Sequence, residues 1–384
     1  MAKKCYVGVN GVARKVVKGY VGVDGVARKI RKAYIGIGGV ARPCWSGGEL
    51  AYYGNITNLS VARETLAATT VGNYALFGGG YTGGSTSSTV DAYDSYLTIS
   101  TPSALRGKAS GLAATTVGNY ALFGGGRDGT TASSKSDLIT AYDGALTQAS
   151  VTSLTNGAMG IAATTVGDYA LFSGGYIAYD TRYFSNVDAY NSSLTKTTAT
   201  KLAEGKYNHA ATTVGNYAIF AGGHGRSLSL GTIAAIATVE AFSPSLTKTT
   251  ATELSKARSS LAATTVGNYA IFAGGYNGGE LNTVDAYDSS LTRVSVSALQ
   301  SASRYLAATT IDNYALFGGG RKDTYTIVKY VTAYDESLTQ TIPSSLGAAR
   351  EYLAATTVGN YAIFAGGTNS QGDTSSVAYA YTVA

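Results

Sequence analysis

The sequence is poor in the residues that build most catalytic and metal centres. Among its 384 residues are two His, two Cys, two Met, one Trp and four Pro. Cys5 and Cys44 are too few for a disulfide framework. They could bridge each other across the N-terminal region, but spacing does not decide that, and two unpaired thiols is the reading adopted. His209 and His224 have no third ligand at a recognisable spacing, so no metal site and no cofactor site is expected. No apolar run approaches the length of a membrane span. The basic start of the chain has no continuous apolar core of signal-peptide length, so the expectation is cytoplasmic synthesis, no usual signal-peptide export and no membrane insertion.

What is abundant is Gly, 49 residues, and Tyr, 30 residues. That pairing suits many short strands joined by tight turns, with small residues where strands crowd together. Charge is distributed unevenly. Residues 1–46 carry ten Lys and Arg against the single acid Asp24, a charge of +9 inside a total of +6, so the remainder is −3. A basic segment can mark a nucleic-acid or anionic partner. Here the basic residues recur with a short repeat, which favours a solvated strand face.

That repeat has a period of 14, with units opening at Tyr6, Tyr20 and Tyr34 on the phrase Tyr-(Val/Ile)-Gly-(Val/Ile)-x-Gly-Val-Ala-Arg. In each unit a β-type run meets Asn10-Gly11, Asp24-Gly25 or Gly38-Gly39 and then a second run. These dipeptides tolerate the positive φ of a two-residue turn, so each unit is expected to be a hairpin. Three hairpins bury little surface alone and need copies of themselves or a partner to pack against.

A second repeat fills the rest of the chain. Ala-Ala-Thr-Thr-(Val/Ile)-x-(Asn/Asp)-Tyr-Ala-(Leu/Ile)-Phe-x-Gly-Gly begins at Ala67, Ala113, Ala162, Ala210, Ala262, Ala307 and Ala354, at intervals of 46, 49, 48, 52, 45 and 47 residues. Each copy reads as a strand, a tight turn and a second strand ending in a Gly doublet. A third strand ends in Tyr-Asp or a variant of it, and a fourth opens at Leu-Thr. Seven first, second and third strands are found, but only six fourth strands. Residues 55–60 resemble the Leu-Thr strand and stand ahead of the first copy, so residues 56–60 are expected to pair with the C-terminal strand near residues 376–383 and close a ring.

A hydrophobic strand ending in Gly-Gly, then Tyr-Asp, at about fifty residues per unit, resembles the kelch repeat. The resemblance implies an all-β fold, a seven-bladed kelch-like β-propeller closed by an N-terminal strand and preceded by a small β-hairpin repeat domain. The expected organisation is a hairpin domain over 1–46, a junction over 47–54 and a propeller over 55–384. One departure is the absence of the Trp usual in the fourth kelch strand, since the sole Trp is Trp45. The 14-residue units are similar to repeats of bacteriophage and prophage tail and structural proteins. That similarity implies a virion attachment module, docking on other virion or tail proteins through residues 1–46, with homo-oligomerisation as a further partner reading.

Enzymatic signatures of propellers are missing. The Ser-x-Asp-x-Gly-x-Thr-Trp turn of sialidase-type propellers does not occur, and neither Cys lies where a galactose-oxidase-like copper site would need its Tyr-Cys cross-link. The Gly doublets lack the helix and Lys-Ser/Thr of a phosphate cradle. Glu64, Asp128, Glu204 and Glu351 could approach one another as glycoside-cleaving acids, which geometry would have to decide. The expectation is a non-enzymatic protein.

Recognition is better supported. Loops joining strands one to two and three to four are short and nearly constant, whereas those joining two to three and four to one differ in every copy. Up-and-down connectivity puts the variable pair on one face, as in a binding surface on a fixed scaffold. The residues expected there are Tyr81, Arg127, Tyr176, Tyr207, Asn208, His209, His224, Tyr276, Arg304, Tyr305, Arg321, Glu351 and Tyr352. Rings that stack and polar groups that bond hydroxyls suit a host-surface glycan or protein. The leading expectation is a virion tail-fibre or receptor-binding protein. An intracellular interaction propeller with a nucleic-acid- or acidic-partner-binding N-terminus, and a carbohydrate-active enzyme, are the alternatives.

Overall fold

In the computed structural model, residues 48–131, 133–226 and 231–383 are described in full, and the strands ahead of residue 47 through their backbone. Tyr6–Val9 pairs antiparallel with Val12–Lys15, Gly19–Val23 with Val26–Ile30, and Lys32–Ile37 with Val40–Ser46. Val9 faces Val12, Val23 faces Val26 and Ile37 faces Val40, which leaves two residues for each connection. Those dipeptides, and Cys5 with its candidate bridge to Cys44, lie outside the described residues.

Seven four-stranded antiparallel sheets follow, and no helix occurs among the described residues, so the architecture is all-β and propeller-like. Their first strands are Ala67–Val71, Ala113–Val117, Ala162–Val166, Ala210–Val214, Ala262–Val266, Ala307–Ile311 and Glu351–Val358, and the sheets are numbered one to seven in that order. In sheet one, Val71 faces Tyr74 across a two-residue turn with Gly72 at φ +54°, the position at which a hairpin of this kind favours Gly. Sheet six puts Asp312 there, at φ +51°.

The connection between third and fourth strands departs from the sequence expectation. Leu-Thr does not open the fourth strand. Leu97, Leu146, Leu194, Leu246, Leu291 and Leu338 sit in the preceding turn at φ 59–64°, each donating its N–H three residues back, as Leu97 does to the Asp94 carbonyl. Asp94 Oδ1 accepts the N–H groups of Tyr96 and Thr98, and Asp143, Asn191, Asp288 and Asp335 do the same. A left-handed Leu costs roughly 1–2 kcal/mol. The six side chains offset this by packing between neighbouring sheets.

The same misreading displaced the expected closing strand. Leu50–Ile56, not residues 56–60, pairs with Ala378–Val383 as the fourth strand of sheet seven, and Leu50–Gly54 therefore belong to the sheet and not to a junction. The ladder is interrupted where Tyr381 faces Tyr52 and Ala380 faces Gly54, leaving Tyr53 unmatched, with its ring edge-on to Tyr361 at 4.9 Å. Residues 57–60 form the exit, where Leu59 N bonds Ser376 O at 2.8 Å.

Neighbouring sheets are joined in three ways. The third-strand Tyr of six sheets donates its phenol to a carbonyl in the preceding loop at 2.6–2.9 Å, from Tyr93 to Thr57 through Tyr381 to Ser344. Burial raises these phenol pKa values, that of Tyr142 to about 12. Sheet four carries Phe242 at this position, so ring packing alone is tolerated there. Replacing Tyr287 by Phe strands the Thr252 carbonyl and should cost about 1 kcal/mol in urea unfolding. A cost near zero would show that this bond does not bind sheet to loop.

The Gly doublets let backbones meet. Gly80 N donates to Ala109 O of the next unit at 2.7 Å, and a Cβ on Gly79 would stand 2.7 Å from that same oxygen. The threonines form the third link. Thr116 Oγ1 lies 2.8 Å from Thr69 Oγ1 and also donates to the Thr70 carbonyl. This double contact recurs at every junction between first strands, including the one from Thr70 to Thr356 and Thr357 that joins sheet one to sheet seven. Hydroxyl-to-hydroxyl distances are 2.7–2.9 Å throughout.

Candidate ligand-binding mouth

Just before each first strand, and just after each second strand, one residue of each meets the other in an extra rung. The facing pairs are Glu64 and Tyr81, Ser110 and Arg127, Met159 and Tyr176, Tyr207 and His224, Ser259 and Tyr276, Arg304 and Arg321, and Glu351 and Thr368. Nine of the thirteen expected residues stand at this level, at the end of the sheets that carries the variable loops. Asn208, Tyr305 and Tyr352 occupy the next position inward, with Thr65, Gly111, Gly160 and Ser260 as their counterparts.

Those inner residues all have positive φ, between 51 and 65°, because their backbones bond from unit to unit. Thr65 N donates to Tyr352 O, Gly111 to Thr65, Gly160 to Gly111, Asn208 to Gly160, Ser260 to Asn208, Tyr305 to Ser260 and Tyr352 to Tyr305, and the series returns to its start. A cavity of about 300 Å³ opens at this ring and is lined by its residues and those one step further along each strand.

Two aromatic groups stand at the mouth, one carried by sheets three and four and the other by sheets five to seven. Tyr207 stacks on Tyr176 at 4.8 Å, Tyr183 joins them at 4.9 Å from Tyr176, and His224 meets Tyr207 edge-on at 5.8 Å. Tyr305 stacks on Tyr352 at 4.1 Å, and the Arg304 guanidinium lies 4.5 Å over Tyr276 and 5.1 Å over Tyr305. Burial is the main reason the phenol pKa values of Tyr207 and Tyr352 are raised.

The charged residues are largely balanced. Arg321 grips the buried Glu351 through Nε and a second nitrogen, at 2.8 and 2.5 Å, and the bond raises its pKa further. Arg304 has Glu280 at 3.4 Å. Glu64 is pushed up, first by burial and then by Glu351, while Arg127 pulls it down. Of the acids considered for glycoside cleavage, Glu351 is held by Arg321 with Glu64 near enough to feel its charge, Asp128 accepts the Lys135 N–H at 3.1 Å, and Glu204 is buried.

His209 lines the cavity at the mouth and also joins two sheets. It fills the position that holds Leu or Ile elsewhere, is buried, and shares a 2.8 Å hydrogen bond with Ser173 of sheet three. Ser173 itself replaces the Gly or Ala found in the other copies, so the two substitutions compensate each other; Ala221 and Leu261 form the corresponding apolar contact between sheets four and five. Burial, helped by Lys206, holds the imidazole well below its usual pKa. The folded state keeps His209 neutral while the unfolded chain binds a proton below about pH 6.5. Stability should therefore fall as pH drops through that value, by up to about 1.4 kcal/mol per pH unit from this residue. His209→Leu combined with Ser173→Ala should remove that part of the slope between pH 7 and 5. An unchanged slope in urea titrations would place the dependence elsewhere.

Sequence reasoning missed Tyr183, a variable-loop residue completing one aromatic group, and Glu280, the partner of Arg304. It also missed buried ion pairs at matched positions: Arg63 with Asp91 at 2.6 Å, Lys206 with Glu240 at 3.3 Å and Arg258 with Asp285 at 2.8 Å. Where the acid position holds Thr, as at Thr140 and Thr332, the basic position holds Ala109 or Ser303, so paired departures were a partial signal, one that two units break with Asp188 beside Ala158 and Tyr379 beside Arg350 in the pattern. Among the described residues, no group of three or more His, Cys, Asp or Glu is placed to hold a metal.

The solved structure titled "Structure of YjhT" is similar to this chain, with a TM-score of 0.56 and 11% identity over 85% of this chain and 99% of that one. At that identity the likeness is one of fold. No protein-family model matches the chain, and no curated protein matches it in sequence.

Proposed function

We propose that the seven sheets are the blades of one closed, kelch-like propeller, and that the protein is a non-enzymatic bacteriophage virion component, a tail-fibre or receptor-binding protein. In this reading residues 1–46 dock on other virion proteins and the variable mouth binds a host-surface glycan or protein. The unit-to-unit bonds that return to their start, in both the mouth backbone and the threonines, support the closed ring. One observation carries the functional reading. Leu50 pairs with Val383 at the end of sheet seven that carries the constant turns, so the chain arrives from the hairpin segment at the end opposite the variable mouth. Attachment and recognition then point in opposite directions, the arrangement a particle-borne binder needs.

The test is location. Electron microscopy of particles from the encoding phage should place the propeller at a tail extremity, and a reporter fused to residues 1–46 should be incorporated. A fragment that stays off particles and binds DNA with a steep salt dependence would transfer support to the intracellular alternative.

A further inference from the structure

The hydroxyl protons of the threonine belt can be assigned one by one. Thr116 Oγ1 bonds a carbonyl oxygen, which can only accept, so its proton is spent there. In the 2.8 Å contact with Thr69 the donor must then be Thr69. The same two bonds occur at all seven junctions, so every hydroxyl proton of the belt is committed within it while each oxygen keeps a lone pair. These side chains line a cavity of about 520 Å³ between the first strands. Its wall presents acceptors and no hydroxyl donors. The turns that rim it, joining first to second strands, contain no Lys or Arg; two of them carry Asp168 and Asp312, and six carry an Asn, whose amide can donate as well as accept.

We propose that this end of the channel is a binding site for a hydrated monovalent cation. A hydrated cation turns its water protons outward, which the acceptor wall can receive through water-mediated bonds; a hydrated anion directs its water oxygens outward and meets no donors among the threonine hydroxyls. The site lies at the end opposite the mouth and is independent of what the mouth recognises, although it rests on the closed-ring reading.

Crystals of the full-length protein soaked in rubidium bromide test it, because both ions scatter anomalously. Rubidium is expected inside the belt and bromide is not. Bromide in the belt, or a belt without rubidium when rubidium is bound elsewhere on the same molecule, would overturn the proposal. Two variants test the proton assignment. Thr116→Val removes the acceptor of the Thr69 proton and frees it towards the channel, whereas Thr69→Val removes an oxygen without creating a donor. Rubidium occupancy should fall at least about twofold more in the first than in the second. Equal occupancies would refute the assignment, and a variant that fails to crystallise leaves the decision to the ion pair in the unaltered protein.

Discussion

A chain beginning at residue 57 should lose cooperative unfolding or aggregate, whereas one beginning at residue 48 should unfold in a single transition close to that of the full chain. The difference lies in Leu50–Ile56. Its removal takes away the ladder to Ala378–Val383 and the contacts of Tyr52 with Tyr381 and of Tyr53 with Tyr361. Several net backbone hydrogen bonds and two ring contacts amount to about 5 kcal/mol, which is comparable with the whole stability of many domains. The deletion also bares a strand whose unpaired groups invite association with other chains. Far-UV circular dichroism during urea titration, with light scattering, measures both outcomes. Equal behaviour of the two truncations would refute closure by this strand.

The strands themselves were legible because one phrase recurs with its turn residues at fixed offsets. What misled was the part of the repeat whose conformation contradicts its composition. Leu97 and its five counterparts look like strand openers, being apolar and followed by Thr, yet they occupy left-handed turn positions held by packing between sheets. Matching residues 55–60 to that phrase therefore displaced the closing strand by several residues. The sequence also showed which end of each unit varies, and the extra rungs bring those residues to one level. It could not show which of them are exposed. His209 reads as a polar substitution on a binding loop until Ser173 is found against it, and that contact joins residues from different units. The threonine belt was hidden for the same reason: each strand suggests only small residues in a crowded place, and the pairing of hydroxyls depends on the register between strands that are not neighbours in sequence.

At the mouth, replacing Tyr207, Tyr305 and Tyr352 together by Ala should weaken attachment to the host surface by at least about tenfold, since anchoring aromatic residues commonly contribute a kcal/mol or more each. The three side chains belong to both aromatic groups, so the change removes the stack of Tyr207 on Tyr176 and that of Tyr305 on Tyr352 at once. Because these rings are half-buried, a modest fall in unfolding temperature is expected and must be measured beside binding. The matched control alters Asn119 and Asn268, which lie in the constant turns at the opposite end, and should leave attachment intact. Binding of labelled protein to host cells, at temperatures well below unfolding of either variant, separates lost recognition from lost structure. Attachment abolished by the Asn changes and preserved after the Tyr changes would put the recognition surface at the constant end, and the arrangement of attachment and recognition proposed for this chain would have to be reversed.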